Sequence, residues 1–175
     1  GGGSTTEGGN ASAGSDGASA GAEGNKVQLK FSTYLPEPHN ITQSVLKPFI
    51  EDIAEVTEGR VTATLYAGAA LGANDAQFDL VTSGAADMSL GAHGYNPGRF
   101  PLTGIVELPF ISGSAKERSA DLWSLYEKFQ ADFDKEHDGV KVLGLYKNDP
   151  YMFLLRSKPV KTLEDLKGMK LRSPS

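Results

Sequence analysis

The chain has 175 residues, a formal net charge of −5 and no cysteine. Its lysines and arginines are scattered, so it lacks the concentrated basic surface that nucleic-acid binding requires. Without cysteine, neither a disulfide nor a thiol nucleophile is available. No apolar run reaches the roughly 18 residues needed to span a bilayer. The bulk properties therefore argue against a nucleic-acid-binding, disulfide-stapled or membrane-spanning protein.

Residues 1–25 differ in composition from the rest. They hold nine of the 21 glycines and three acids, and they contain no aromatic, branched aliphatic or basic residue. Such a segment cannot bury enough apolar surface to offset the entropy lost on ordering, so we predict a disordered linker. A linker of this kind is typical between the lipid anchor and the folded body of a surface lipoprotein, whose anchoring cysteine would stand before Gly1. A plain flexible linker is the alternative.

The first part of the folded region alternates between strand and helix patterns. Apolar residues at every second position from Val27 predict a strand. A helical spacing follows, with Asn40 and Gln43 as an N-cap pair and Gly59 as the C-cap. Pro48 inside this pattern predicts a kink or a late start. Next come a strand at 61–65, a short helix opened by Asn74 and Gln77 and ended by Gly84, and a strand at 87–90.

The second part continues the alternation. Ser114 and Glu117 form a capping box for the strongest predicted helix, which Gly139 ends. Strands are predicted at 140–145, 151–155 and 169–172, and a short helix is capped by Thr162 and Asp165 and ended by Gly168. This order with short connections is typical of an α/β fold with a largely parallel or mixed sheet. The last strand runs straight to the end of the chain, which indicates a piece of a longer protein.

The residues show no catalytic or metal-binding motif. His39, His93 and His137 lack the spacing of a metal site. The glycine-rich run at 68–72 has no Lys-Ser/Thr ending, so it is not a phosphate loop. No serine stands in a Gly-x-Ser-x-Gly elbow. We therefore predict no catalytic residues, no metal and no cofactor.

Arg172 ends the last predicted strand. At such a position an arginine presents a planar fork that can make two parallel charge-assisted hydrogen bonds to a carboxylate. From the residues alone, a carboxylate clamp and an ordinary surface arginine both fit.

Five short segments follow one another in a characteristic order. They are LKFSTYLPEPHN at 29–40, GRV at 59–61 leading to GAALG at 68–72, SGAADMSLG at 83–91, GYNPGRFPL at 94–102 with ELPF at 107–110, and KPVKTLEDLKGMKLRSP at 158–174. Each segment alone is a weak signal. Together they resemble the solute-binding proteins of TRAP (tripartite ATP-independent periplasmic) transporters, the DctP family, over essentially all of residues 26–175.

The resemblance implies a two-lobed, periplasmic-binding-protein-like α/β fold of type II, whose lobes close around a ligand. By this analogy 1–25 is the linker, 26–148 is an incomplete lobe one and 149–175 starts lobe two; the rest of lobe two lies beyond this chain. The family mostly binds carboxylates through an arginine in a Lys-x-Arg strand, which implies that Arg172 is the clamp. The other ligand contacts implied by position are Tyr34, His39, Tyr95, Asn148 and Tyr151.

The resemblance also implies a function. A monomeric extracytoplasmic protein, periplasmic or lipid-anchored at the surface, would capture a small organic acid and pass it unchanged to TRAP membrane subunits. Sialic acid is disfavoured, because Met152 stands near the position of the second arginine of sialic acid receptors. The alternatives are a binding protein of an ABC importer and an enzyme on a similar two-lobed scaffold. The identity of the acid is left open.

Overall fold

A computed structural model describes Gly1 and residues 25–108, 111, 113–149, 152–156 and 159–172. The predicted linker lies, apart from Gly1 and Asn25, outside these described residues. The strands and α-helices in the described part are β1 (Val27–Thr33), α1 (Lys47–Val56), β2 (Val61–Tyr66), α2 (Gln77–Thr82), β3 (Met88–Leu90), α3 (Ala115–Lys128) and α4 (Gln130–Glu136). A π-helical turn, Thr42–Leu46, leads into α1, and short 3₁₀ helices cover Asn74–Ala76, His93–Tyr95, Thr103–Glu107 and Glu164–Leu166.

The three strands form a parallel sheet in the order β2-β1-β3. The pairing aligns Phe31 of β1 with Leu65 of β2 and with Met88 of β3. Parallel neighbours need crossover connections, which α1 and α2 supply. Because β1 is the central strand, its last residues, Phe31, Ser32 and Thr33, are buried. The predicted α/β class with a parallel sheet is confirmed.

The start of α1 differs from the prediction. The side chain of Asn40 accepts a hydrogen bond from the Ser44 hydroxyl at 3.0 Å, and the Gln43 amide donates to the Glu37 carbonyl at 2.6 Å, so neither caps the helix. The π-helical turn forms the entry instead. Pro48 lies in the first turn of α1, directly after the π-helical turn, and the residues from Asn40 onward are already helical. The helical run therefore continues through Pro48 with a π-helical distortion just before it, and the late start that the sequence offers as one alternative does not occur.

Glycines end α1 and α2 as predicted. Gly59 has φ +74°, and its amide donates to the Ala54 carbonyl at 2.7 Å. Gly84 has φ +76°, and its amide donates to the Val81 carbonyl at 3.0 Å. A residue with a Cβ would be strained at this left-handed φ. The two glycines thus release the chain from each helix towards the next strand.

The capping box of α3 is confirmed. The Ser114 hydroxyl accepts from the Glu117 amide at 3.3 Å, and the Glu117 carboxylate accepts from the Ser114 amide at 2.9 Å. The single helix predicted up to Gly139 is instead two helices, because Phe129 leaves helical geometry at φ −120° and ψ 33°. The inner faces of α3 and α4 pack with the following segment into one core: Leu122, Tyr126, Phe133 and Val142.

The strands predicted after residue 139 are wrong for the described residues. Residues 140–145, 152–155 and 169–172 have no regular secondary structure, and Tyr151 lies outside the described residues. An alternating pattern reports burial on one side of the chain, as buried Val142 shows. A strand additionally needs a partner for its backbone N–H and C=O groups, and these segments pair with no strand in the described part.

The last predicted helix is reduced to the short 3₁₀ helix Glu164–Leu166. Only the acidic half of its predicted cap forms: the Asp165 carboxylate accepts from the Lys161 and Thr162 amides, both at 2.9 Å. These hydrogen bonds hold the pKa of Asp165 below its ordinary value. Among the described residues, no helix has the length and apolar character needed to cross a membrane.

Candidate functional site

The carboxyl ends of the three strands form one edge of the sheet. In the order β2-β1-β3, the chain leaves β1 towards β2 and then crosses to the other side of β1 to form β3. The connections therefore diverge between β1 and β3. A switch point of this kind opens a crevice outside the carboxyl ends of the strands, where open α/β sheets bind ligands. The residues that follow β1 and β3 lie at this edge of the sheet.

Two tyrosines lie at the switch point. Tyr34 directly follows β1, and Tyr95 ends the 3₁₀ helix that follows β3. Their ring centroids are 5.8 Å apart with planes at 65°, an edge-to-face contact. Both residues are partly buried, and each combines an apolar ring with a polar hydroxyl. The structure thus brings together two of the six residues predicted to contact a ligand.

A pair of histidines anchors the Tyr95 loop to the end of α4. The Nε2 atoms of His93 and His137 are 3.3 Å apart, and Nδ1 of His137 lies 2.8 Å from the Phe133 carbonyl oxygen. Because a carbonyl only accepts, Nδ1 of His137 carries the proton. In the tautomer pair where Nε2 of His137 accepts, His93 donates its Nε2–H. The contact thus joins the two rings through one hydrogen bond.

Burial keeps His93 uncharged at neutral pH. Desolvation, and secondly the neighbouring His137, lower the pKa of His93 from 6.5 to about 4. Phe100 packs against both rings, with centroids 4.1 Å from His93 and 5.1 Å from His137. Phe78 meets Phe100 edge-on at 5.3 Å. We call Phe78, His93, Phe100 and His137 the histidine–aromatic cluster.

An ion pair links the 3₁₀ helix Thr103–Glu107, which follows the Tyr95 loop, to the segment after α4. Nζ of Lys147 lies 3.3 Å from the Glu107 carboxylate. The Ser119 hydroxyl holds the backbone of Lys147, at 2.9 Å from its amide and 3.3 Å from its carbonyl. A Cβ built on Gly94 would lie 3.6 Å from the Glu107 carboxylate, so the ion pair lies against the loop. A cation and an anion thus stand beside the turn that carries Tyr95.

The other predicted ligand contacts are not assembled with the tyrosines. Nδ1 of His39 accepts from the Ile41 amide at 3.2 Å, a local contact in the turn after β1. Asn148 is exposed in the segment after α4. Arg172 is exposed and forms no ion pair with the described acids, and Tyr151 lies outside the described residues. The ligand-binding roles of these four residues stay predictions.

The histidine pair and the ion pair are not predicted by any sequence motif. His93 and His137 are 44 positions apart, and Lys147 and Glu107 are 40 apart. Only the packing of α4 and its following segment brings them together, so no local spacing reports them. Within the described part of the chain, no cluster of three or more potential ligands could hold a metal ion.

A parallel α/β sheet with an aromatic pair at the switch point of its strands is the arrangement beside which open α/β proteins bind their ligands. Residues 31–175 match the DctP family, described as bacterial extracellular solute-binding protein, family 7. The chain belongs to this family. The resemblance to DctP proteins that the five sequence segments predict is confirmed.

Solved structures of TRAP solute-binding proteins share the fold. One from Rhodoferax ferrireducens, in complex with copurified benzoate, is 30% identical with a TM-score of 0.78, covering 86% of this chain and 46% of that chain. One from Bordetella bronchiseptica, with bound (R)-mandelate and (S)-mandelate, is 39% identical with a TM-score of 0.71, covering 81% of this chain and 44% of that chain. These similarities confirm the predicted fold class. The chain covers part of the two-lobed fold of these relatives.

A curated relative shows the same partial coverage. The chain is 32% identical over 143 residues to the outer membrane transporter protein TsaT of Comamonas testosteroni, a match to 82% of this chain and 42% of that protein. The chain therefore spans less than half the length of the relatives named here.

Proposed function

We propose that the protein containing this chain captures an organic acid outside the cytoplasm and delivers it to the membrane subunits of a TRAP transporter. The edge-to-face contact of Tyr34 and Tyr95 at the switch point carries the proposal. Small-molecule sites combine apolar, aromatic walls with a few polar groups, and this pair offers both. The two solved relatives hold benzoate and mandelate, which are aromatic carboxylates. We therefore propose an aromatic carboxylate as the ligand class.

The carboxylate of such a ligand needs a cationic partner. We assign this role to Arg172, whose exposed guanidinium makes no ion pair with the described acids and is open to an incoming anion. The ligand would bridge this arginine and the tyrosine-lined crevice, exclude water and shift the population to a closed form. A buried ion pair is favourable only when further donors satisfy the carboxylate. We propose His39, Asn148 and Tyr151 for this task.

The family supports an extracytoplasmic location. A lipid anchor ahead of Gly1, a monomeric state and a boundary between lobes near residue 149 stay predictions. The protein would perform no chemistry on its ligand, so the bound acid should be recovered unchanged after incubation. Detection of a converted product by NMR would favour an enzyme instead.

A thermal-shift screen of the full-length protein tests the proposal. The compounds are benzoate, mandelate, succinate and uncharged benzyl alcohol, each against wild type, Arg172→Ala and Arg156→Ala. The last variant removes another exposed arginine and serves as the control. A ligand at a hundredfold its Kd stabilises a protein by about 2.7 kcal/mol, which is readily measured.

We expect the aromatic acids to raise the melting temperature of wild type and Arg156→Ala, but not of Arg172→Ala. If no acid shifts the wild type, the binding function is wrong. If the shift survives in Arg172→Ala, the clamp is misassigned.

A further inference from the structure

Two consecutive side chains at the end of α4 hold the loop that carries Tyr95. His137 meets the ring of His93 at one end of the loop, with 3.3 Å between the Nε2 atoms. Glu136 accepts from the backbone amides of Leu102 at 2.8 Å and Thr103 at 3.1 Å, at the other end of the loop. The end of α4 thus fixes both ends of the segment 93–103.

The link from His93 to Tyr95 is short and hydrogen-bonded. Both residues belong to one 3₁₀ helix, in which the Tyr95 amide donates to the Ala92 carbonyl at 3.1 Å. The Asn96 amide donates to the His93 carbonyl at 2.9 Å. A displacement of the His93 ring therefore moves the turn that points Tyr95 at its partner Tyr34.

We propose that His137 is a positioning residue for this loop: its hydrogen bond to His93 holds Tyr95 against Tyr34 and preorganises the crevice for its ligand. The ligand part of this inference rests on the proposed function. His137 itself is only 3% exposed and lies behind the loop, so it acts through His93 and not by touching the ligand. Fixing the aromatic wall before binding removes an ordering cost that would otherwise weaken affinity.

The chemistry of the contact explains why a histidine stands at this position. The ring of His137 donates from Nδ1 to the Phe133 carbonyl and shares a hydrogen bond between its Nε2 and that of His93. It also stacks on Phe100 at a centroid distance of 5.1 Å. Phenylalanine can reproduce the stacking but neither hydrogen bond, whereas glutamine can return an amide acceptor near the position of Nε2. These two substitutions separate the hydrogen bond from the packing.

Hydrogen exchange of the unliganded full-length protein tests the positioning without any ligand. In His137→Phe we expect the amides of Tyr95 and Asn96 to exchange about tenfold faster, the effect of losing the hydrogen bond to His93 that holds their loop. In His137→Gln the exchange should return towards wild type. Tyr126→Phe is the control, because it removes a 3.1 Å hydrogen bond to Asp134 between α3 and α4; it should leave these amides unchanged. Unchanged exchange in His137→Phe overturns the proposal.

A double-mutant cycle on benzoate affinity tests the link to the ligand. We expect His137→Phe to weaken binding about tenfold in wild type and to have little effect in the Tyr95→Leu background, where the loop no longer carries the ring. Purely additive effects would show that His137 acts on stability alone and would overturn the proposal. If the wild type binds no aromatic acid, the proposed function fails, while the exchange measurement still decides whether His137 positions the loop.

Discussion

The desolvated His93 makes the fold sensitive to mild acid. Its pKa is lowered from 6.5 to about 4, so between these pH values the unfolded chain binds a proton that the native chain does not. The contribution of His93 to the free energy of unfolding is therefore fully present above pH 6.5. It falls as the pH drops towards 4 and changes no further below pH 4. At about 1.36 kcal/mol per pKa unit, the full loss is roughly 3 kcal/mol.

The charged groups around the histidine pair do not offset this loss. Glu136 is occupied by two backbone amides, Arg99 pairs with Asp79 at 2.8 Å, and Asp138 is exposed. Within the described residues no acid forms an ion pair with either ring. A proton on His93 would therefore be buried without a counter-ion.

Urea unfolding of the full-length protein between pH 7 and pH 5 measures the effect. Over this interval we expect wild type to lose about 2 kcal/mol more stability than His93→Gln, which keeps a donor for the neighbouring ring but does not titrate. Tyr126→Phe should be less stable at every pH and keep the wild-type pH dependence. The acids with lowered pKa values, Asp79, Glu117 and Asp165, stay ionised in this interval, because their ordinary values of 3.8 to 4.5 lie below it. Equal pH dependence in wild type and His93→Gln would contradict the lowered pKa of His93.

Three further predictions follow from single contacts. Ser114→Ala removes the capping box of α3 and should cost about 1 kcal/mol in urea unfolding; no loss would mean that the cap contributes nothing. Leu122→Ala removes a core side chain that is 1% exposed and should lower the free energy of unfolding by about 2–5 kcal/mol. Leu143→Ala, at a position 64% exposed, should lower it by less than about 0.5 kcal/mol. Equal losses would contradict the assigned core. Tyr34→Phe should keep most of the benzoate affinity and Tyr34→Leu should lose about 0.5–1.5 kcal/mol of it by calorimetry, since the ring makes the contact; equal loss in both would place the effect in the hydroxyl.

The parts of the fold that the sequence predicts are those set by local patterns. The alternation that starts at Val27 gives β1, Gly59 and Gly84 give helix ends, and Ser114 with Glu117 gives the cap of α3. Each of these signals lies within a few residues of the feature it controls. Asn40 and Gln43 mislead because their side chains hydrogen-bond other polar groups nearby in place of the helix amides.

The parts that the sequence does not predict depend on contacts between distant segments. The strand pattern at 140–145 is real as a burial pattern, but no local signal reveals whether a partner strand is present. The site shows the same division. Tyr34 and Tyr95 could be predicted, because chain order places them after strands and the family resemblance points to them. The contact between His93 and His137 arises only when α4 packs against the loop.

The proposed function requires that the protein recognises the charge of a carboxylate beside an aromatic wall. Isothermal titration of the full-length protein with benzoate and with benzamide, its uncharged amide, tests this requirement. We expect benzoate to bind at least about 30-fold more tightly, because losing a desolvated charge-assisted pair costs about 2–5 kcal/mol. Equal affinities, or binding of the amide alone, would contradict carboxylate recognition and favour a receptor for a neutral solute.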